Sequence, residues 1–135
     1  MDSISIKIPV TIKAKLTEKL KKRIVDELTH NIEQVDLELK QLELEEQKVI
    51  KEEGANNLQQ LQAIRQHFGM ERQKRLDYKE EAEGHLADTN KLALGAEIVQ
   101  GQLERITELK VGDNIREVMN VEVLVEDDKV IAIRS

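Results

Sequence analysis

The sequence predicts an α+β chain: a long antiparallel helical hairpin, or coiled-coil arm, with a small β-subdomain formed by the N- and C-terminal segments at its base. Three observations lead there. Two charge-rich stretches of nearly equal length, each with helical apolar spacing, flank Gly54-Ala55-Asn56-Asn57. Strand-like segments lie outside them, one before Leu16 and the rest after Leu94. When the chain is folded back at Gly54, the charge signs of the two helical stretches oppose each other. The expected divisions are residues 1–15, 16–93 and 94–135.

In the first segment Ile4, Ile6 and Ile8 alternate with Ser5 and Lys7, and Val10 and Ile12 extend the alternation. A period of two marks a half-buried strand. Pro9 has no N–H to give to a ladder, so this strand is expected at an edge or bulged at that residue. Thr17 follows as an N-cap. Leu28, Ile32, Val35, Leu39, Leu42 and Val49 then recur at alternating fours and threes, with Glu46 in the one skipped position. That is a heptad seam. From Thr17 to Glu53 it spans about 55 Å at ~1.5 Å per residue. Gly54 suits a C-terminal cap, and Asn56 or Asn57 the N-cap of the next helix. Leu58, Leu61, Ile64 and Phe68 resume an apolar stripe, which thins after Phe68, and the helix is expected to reach about Leu92.

Charge supports the hairpin independently. With the turn at Gly54, residues whose numbers sum to about 110 face each other. Acidic Glu33, Asp36, Glu38, Glu43, Glu45 and Glu46 then oppose basic Arg65, Arg72, Lys74, Arg75 and Lys79. Nearer the base, Lys19, Lys21, Lys22 and Arg23 oppose Glu80, Glu81, Glu83 and Asp88. Solvated charge runs would explain the abundance of charge, but not this opposition. Pairing of the helices between chains is the alternative, and the pattern does not separate the two.

After Leu94 the character changes. Val121-Glu122-Val123-Leu124-Val125 and Val130-Ile131-Ala132-Ile133 flank Asp127-Asp128 as a β-hairpin. Asn114 with Glu117 three residues on predicts a short helix over 114–119. The stretch from Ala96 to Lys110 carries both signals: Val99, Leu103 and Ile106 have helical spacing, whereas Gly95, Gly101 and Val111-Gly112-Asp113 read as strand, bulge and turn.

Leu94-Gly95-Ala96-Glu97-Ile98-Val99-Gln100-Gly101-Gln102, Val111-Gly112-Asp113-Asn114 and Glu122-Val123-Leu124-Val125-Glu126-Asp127-Asp128 resemble the C-terminal signature of the YlqD-like family of uncharacterised bacterial proteins. Val10-Thr11-Ile12-Lys13 leading into Leu16-Thr17 is similar to that family too. The resemblance implies a small soluble protein and turns Ala96–Lys110 toward strand, paired with the N-terminal strand. It supplies no catalytic residues. Asp127-Asp128 departs from the easiest chemistry of a tight primed turn, where a Gly is expected.

Composition narrows function. Of 135 residues 36% are charged, well above the ~25% typical of globular chains. Aromatics make up 1%, Phe68 and Tyr78 alone, and there is no cysteine. Disulfides, thiolate metal sites and cysteine nucleophiles are therefore excluded. No apolar run approaches ~18 residues, so a cytoplasmic protein without membrane contact is expected. His85 with Glu81, and His67 with Glu71, have ligand-like spacing, but two ligands fall short of the three or four a zinc site needs. No small-molecule substrate, cofactor or catalytic site is expected, and the protein is expected not to be an enzyme.

Two interaction surfaces remain. Leu37 and Leu44, seven apart, lie on the far side of the first helix from its seam. A helix apolar on two faces has two neighbours, so a homo-oligomer is expected, a dimer foremost, or a protein partner on the same stripe. The second is basic: Lys7, Lys13, Lys15, Lys19, Lys21, Lys22 and Arg23, opposed only by Glu18 over that stretch. Such a concentration fits RNA or ribosome phosphates. The net charge of −6 and the near absence of aromatic stacking platforms count against it.

Overall fold

A computed structural model describes residues 1–54 and 57–135, so Ala55 and Asn56 of the expected turn lie outside the described residues. The elements run β1 (Ser3–Lys15), α1 (Glu18–Val49), a π-helical turn (Ile50–Gly54), α2 (Leu58–Lys91), β2 (Glu97–Lys110), α3 (Ile115–Met119), β3 (Val121–Glu126) and β4 (Lys129–Arg134). They divide into a sheet unit, Met1–Lys22 with Leu92–Ser135, and a helical unit, Arg23–Lys91. The fold is α+β, with the sheet drawn from both ends of the chain.

In the sheet unit the strand order is β2-β1-β3-β4. β1 runs antiparallel to β2 over its whole length, from Ser3 opposite Lys110 to Lys15 opposite Glu97, and parallel to β3 from Val10 to Ala14. The edge position expected for β1 is thus corrected. β1 is interior wherever β3 reaches it, and Pro9 falls one residue before that second ladder begins, where its missing N–H interrupts nothing. No bulge falls at Pro9; one lies in β2 beside Gly101, as that glycine predicts, where Ile12 faces Gly101, Lys13 faces Val99 and Gln100 is the extra residue. Another leaves Ile131 of β4 extra. Glu97–Lys110 is strand. Its helical spacing of Val99, Leu103 and Ile106 gives way because pairing with β1 satisfies its backbone along the whole length.

The core of this unit is aliphatic. Ile8, Val10 and Ala14 of β1 are buried at every second or fourth residue, with Leu16, Leu20 and Leu124. Thr17 joins this core to the rest of the unit. Its Oγ1 accepts the Leu20 N–H at 3.1 Å, capping α1, and donates to Asp127 Oδ1 at 2.7 Å in the β3–β4 turn. Asp127 and Asp128 have φ of 46° and 70°, the left-handed pair a type I′ turn requires even without glycine. Asn114 Oδ1 accepts from the Arg116 and Glu117 amides and starts α3.

In the helical unit the heptad seam of α1 is buried or half-buried throughout, most deeply at Val35 and Leu42. The shielded stripe of α2 runs through Leu61, Ile64, Phe68, Arg72, Arg75, Lys79, Ala82, Leu86 and Thr89, with Gly69 and Glu71 half-buried beside it. Two successive steps of four, Ile64 to Phe68 to Arg72, make a stutter that locally unwinds the supercoil. The stripe, whose apolar residues thin out after Phe68, continues on the aliphatic stems of Arg72, Arg75 and Lys79. Asn57 Oδ1 accepts the Gln59 amide at 2.9 Å and caps α2.

Candidate interaction surfaces

Between α1 and α2 the opposition of charge is realised, among the described residues, in three ion pairs. Arg72 meets Glu46 at 2.5 Å, Arg75 meets Glu38 at 3.2 Å and Lys79 meets Asp36 at 2.6 Å. Their numbers sum to 118, 113 and 115, so the facing register lies several residues beyond the expected 110. Arg75 also grips Glu71 one turn back at 3.0 Å, and Lys74 reaches the same carboxylate at 3.3 Å. The Arg75 hydrogen bond, with Lys74 next, holds the Glu71 carboxyl below its ordinary value. Asp36 likewise raises Lys79 by accepting its hydrogen bond. Glu46 sits in the one charged seam position of α1, and Arg72 neutralises it there. At the other end, Glu83 pairs with Lys79 on its own helix at 3.9 Å. Arg23 is exposed and makes no ion pair among the described residues.

Leu37 and Leu44 are 50% and 66% exposed. With Ile32, Leu39 and Glu46 at heptad position a and Val35 and Leu42 at d, both leucines fall at f, diametrically opposite the α2 side. A partner on this stripe would therefore lie against α1 alone.

The basic residues are differently placed. Lys7, Lys13 and Lys15 share the odd-numbered face of β1. Lys13 is bonded to Glu122 Oε2 at 2.9 Å. Glu122 also receives Arg134 at 3.0 Å, and Arg134 bridges to Glu97. Residues of all four strands are linked in this one charged cluster. The Arg134 hydrogen bond holds Glu97 below the ordinary carboxylate value, with Lys13 and Lys15 adding to the effect. Lys21 Nζ donates to the Leu92 carbonyl at 2.9 Å, one residue past the end of α2, where helix carbonyls lack partners. Lys19, Lys22 and Arg23 are exposed. The basic stretch therefore does not present seven open cations: Lys13 and Lys21 are engaged, and Glu97 and Glu122 stand among the strand lysines.

Among the described residues no three His, Asp or Glu side chains are grouped to hold a metal ion, and no helix is long and apolar enough to cross a membrane. A surface cavity of about 330 Å³ at the Ser3–Lys110 end of the β1–β2 pair is lined mainly by Met1, Ile4, Leu109 and Val111, with Asp2 its one carboxylate.

The model of the YlqD protein family matches residues 4–134. The chain belongs to that family. It is also similar to a protein of unknown function from Synechococcus sp. WH 8102, whose crystal structure superposes with a TM-score of 0.88 at 29% identity, over 100% of both chains. No curated protein matches. The shared fold thus extends through both units.

Two features escaped the sequence reading. The charged cluster of Glu97, Glu122 and Arg134 joins residues far apart in the chain, and no local pattern marks it. The continued α2 seam was findable: the spacing 72, 75, 79, 82, 86, 89 is regular once long cationic stems count as apolar.

Proposed function

We propose that this protein is a non-catalytic interaction module acting through α1 and α2, with a second copy as its foremost partner and another protein on the same stripe as the alternative. The observation that carries the reading is the exposed Leu37–Leu44 stripe, on the face of α1 opposite its buried seam. Burying a leucine is worth ~1.5–3 kcal/mol, so two leucines one heptad apart offer a partner helix a real gain. The Glu71, Asp36 and Glu38 carboxylates are consumed in ion pairs, which supports a structural rather than catalytic use of the unit's charge. Replacing Leu37 and Leu44 together with Lys tests the reading. The expected outcome is a lower mass in solution by light scattering and a lower Tm. If neither changes, the stripe is not an interface. Capture of nuclease-sensitive RNA from lysate, with no protein partner, would instead place function at Lys7, Lys15, Lys19, Lys22 and Arg23.

A further inference from the structure

Among the described residues, the outer side of β2 is a fourteen-residue strand edge with no ladder on it. Residues 102–106 are all exposed, and so is Val99. The apolar side chains stand on both faces of this edge: Leu103 at 58% exposure on one, Val99 at 67% and Ile106 at 71% on the other. Such an edge is a template for another strand.

We propose that the strand it receives is β2 of a second copy, antiparallel and centred on Thr107. The argument is charge complementarity under symmetry. A two-fold axis normal to the sheet keeps each residue on its own face, so the axis must pass through a residue position, never between two. Centring on Glu104, Arg105 or Glu108 sets a charge against itself, and centring on Ile106 sets Glu104 against Glu108. Centring on Leu103 runs the ladder across the Gln100 bulge. Centring on Thr107 avoids all of these. Glu104 then faces Lys110 of the other copy, twice over; Leu103 faces Val111, itself 83% exposed; and Ile106 covers the stem of Glu108. Cross-strand pairs of opposite charge stabilise a ladder and like pairs weaken it. The Lys110 amide is already bonded to Asp113 Oδ2 at 2.8 Å, so the new backbone ladder is short, and Glu104–Lys110 acts through side chains. The interface is separate from the Leu37–Leu44 stripe and does not depend on it.

The chain has no cysteine, which makes the test direct. In the proposed register the two Thr107 Cα atoms lie about 4.5–5.5 Å apart, within disulfide reach. Thr107→Cys under copper–phenanthroline should give a covalent species of twice 15.5 kDa at least tenfold faster than a Ser135→Cys control. Adding Glu104→Lys should abolish that preference, and adding Lys110→Glu to this pair should restore it. The preference should persist when Leu37 and Leu44 are both Lys, so failure of the helical stripe and failure of the strand edge are read separately. Crosslinking no faster than at Ser135→Cys, or no rescue by the charge swap, overturns the proposal.

Discussion

In the helical unit burial follows a single seam, and over its middle third α2 supplies Arg72, Arg75 and Lys79 rather than apolar residues. In the sheet unit burial is concentrated instead: Ile8 and Leu16 are almost wholly enclosed, and Val10, Ala14, Leu20 and Leu124 are buried too. The first unit spreads marginal burial over some 30 residues per helix and fixes register with ion pairs. The second gathers its burial around a few residues and fixes register with backbone ladders and a charged cluster. The difference teaches where substitutions should matter: at points in the sheet unit, and diffusely in the helical unit.

The largest test of that contrast is a pair of core truncations. Ile8→Ala should cost about 2–5 kcal/mol and should remove hydrogen-exchange protection across the sheet amides. Leu42→Ala should fall at the low end of the same range, because flexible cationic stems can close over the gap. Equal losses in denaturant melts would break the comparison. Next comes Asn114→Ala, which removes the cap of α3 and should cost about 0.5–2 kcal/mol. The loss should be confined to exchange of the 116–118 amides and leave α1 and α2 untouched; a change in the helical amides would show the units to be more tightly coupled than their separate cores imply. Asp128→Gly should then stabilise by up to about 1 kcal/mol, since a side chain at φ 70° is strained and glycine is not. Asp127 must be kept in that variant, because it accepts the Thr17 hydroxyl. Tm by calorimetry reads the gain.

The smallest effect is in pH. Glu71 in the helical unit and Glu97 in the sheet unit both have lowered folded-state pKa values, through Arg75 and Arg134 first. A carboxylate lowered on folding adds stability above its unfolded value of about 4.3, and that stability is lost as pH falls through the lower folded value. Glu97 is exposed and Glu71 only half-buried, so solvent screening keeps the effect slight. Glu71→Gln should flatten the acid response of the helical amides alone, and Glu97→Gln that of the sheet amides alone. Cross-effects in an exchange series below pH 4.3 would sharpen or end the division into units.

Much of this could be read locally. Period two in Ile4 to Ile12, the four-three spacing from Leu28 to Val49, the Thr17, Asn57 and Asn114 caps and the Val121–Ile133 hairpin each depend on neighbours a few residues away. Local residues also marked Leu37 and Leu44, because a heptad assigns faces as soon as its seam is known. The basic stretch was legible only as a list. Which of its lysines stay open depends on Glu122 and Leu92, more than 70 residues distant from their partners.

By itself, then, the sequence determined the order of the elements, the type of all but β2, and the buried faces of β1 and α1, since propensity, capping and periodicity act over one or two turns. Only the tertiary structure decided that β1 lies inside the sheet, that β2 is a strand on one of the sheet's open edges, that the α1–α2 register runs to sums of 113–118, and that Glu97, Glu122 and Arg134 meet. Those outcomes follow from which strand edges and long side chains find partners across large loops, and loop closure adds little free energy to choose among neighbouring registers. The packed whole makes that choice.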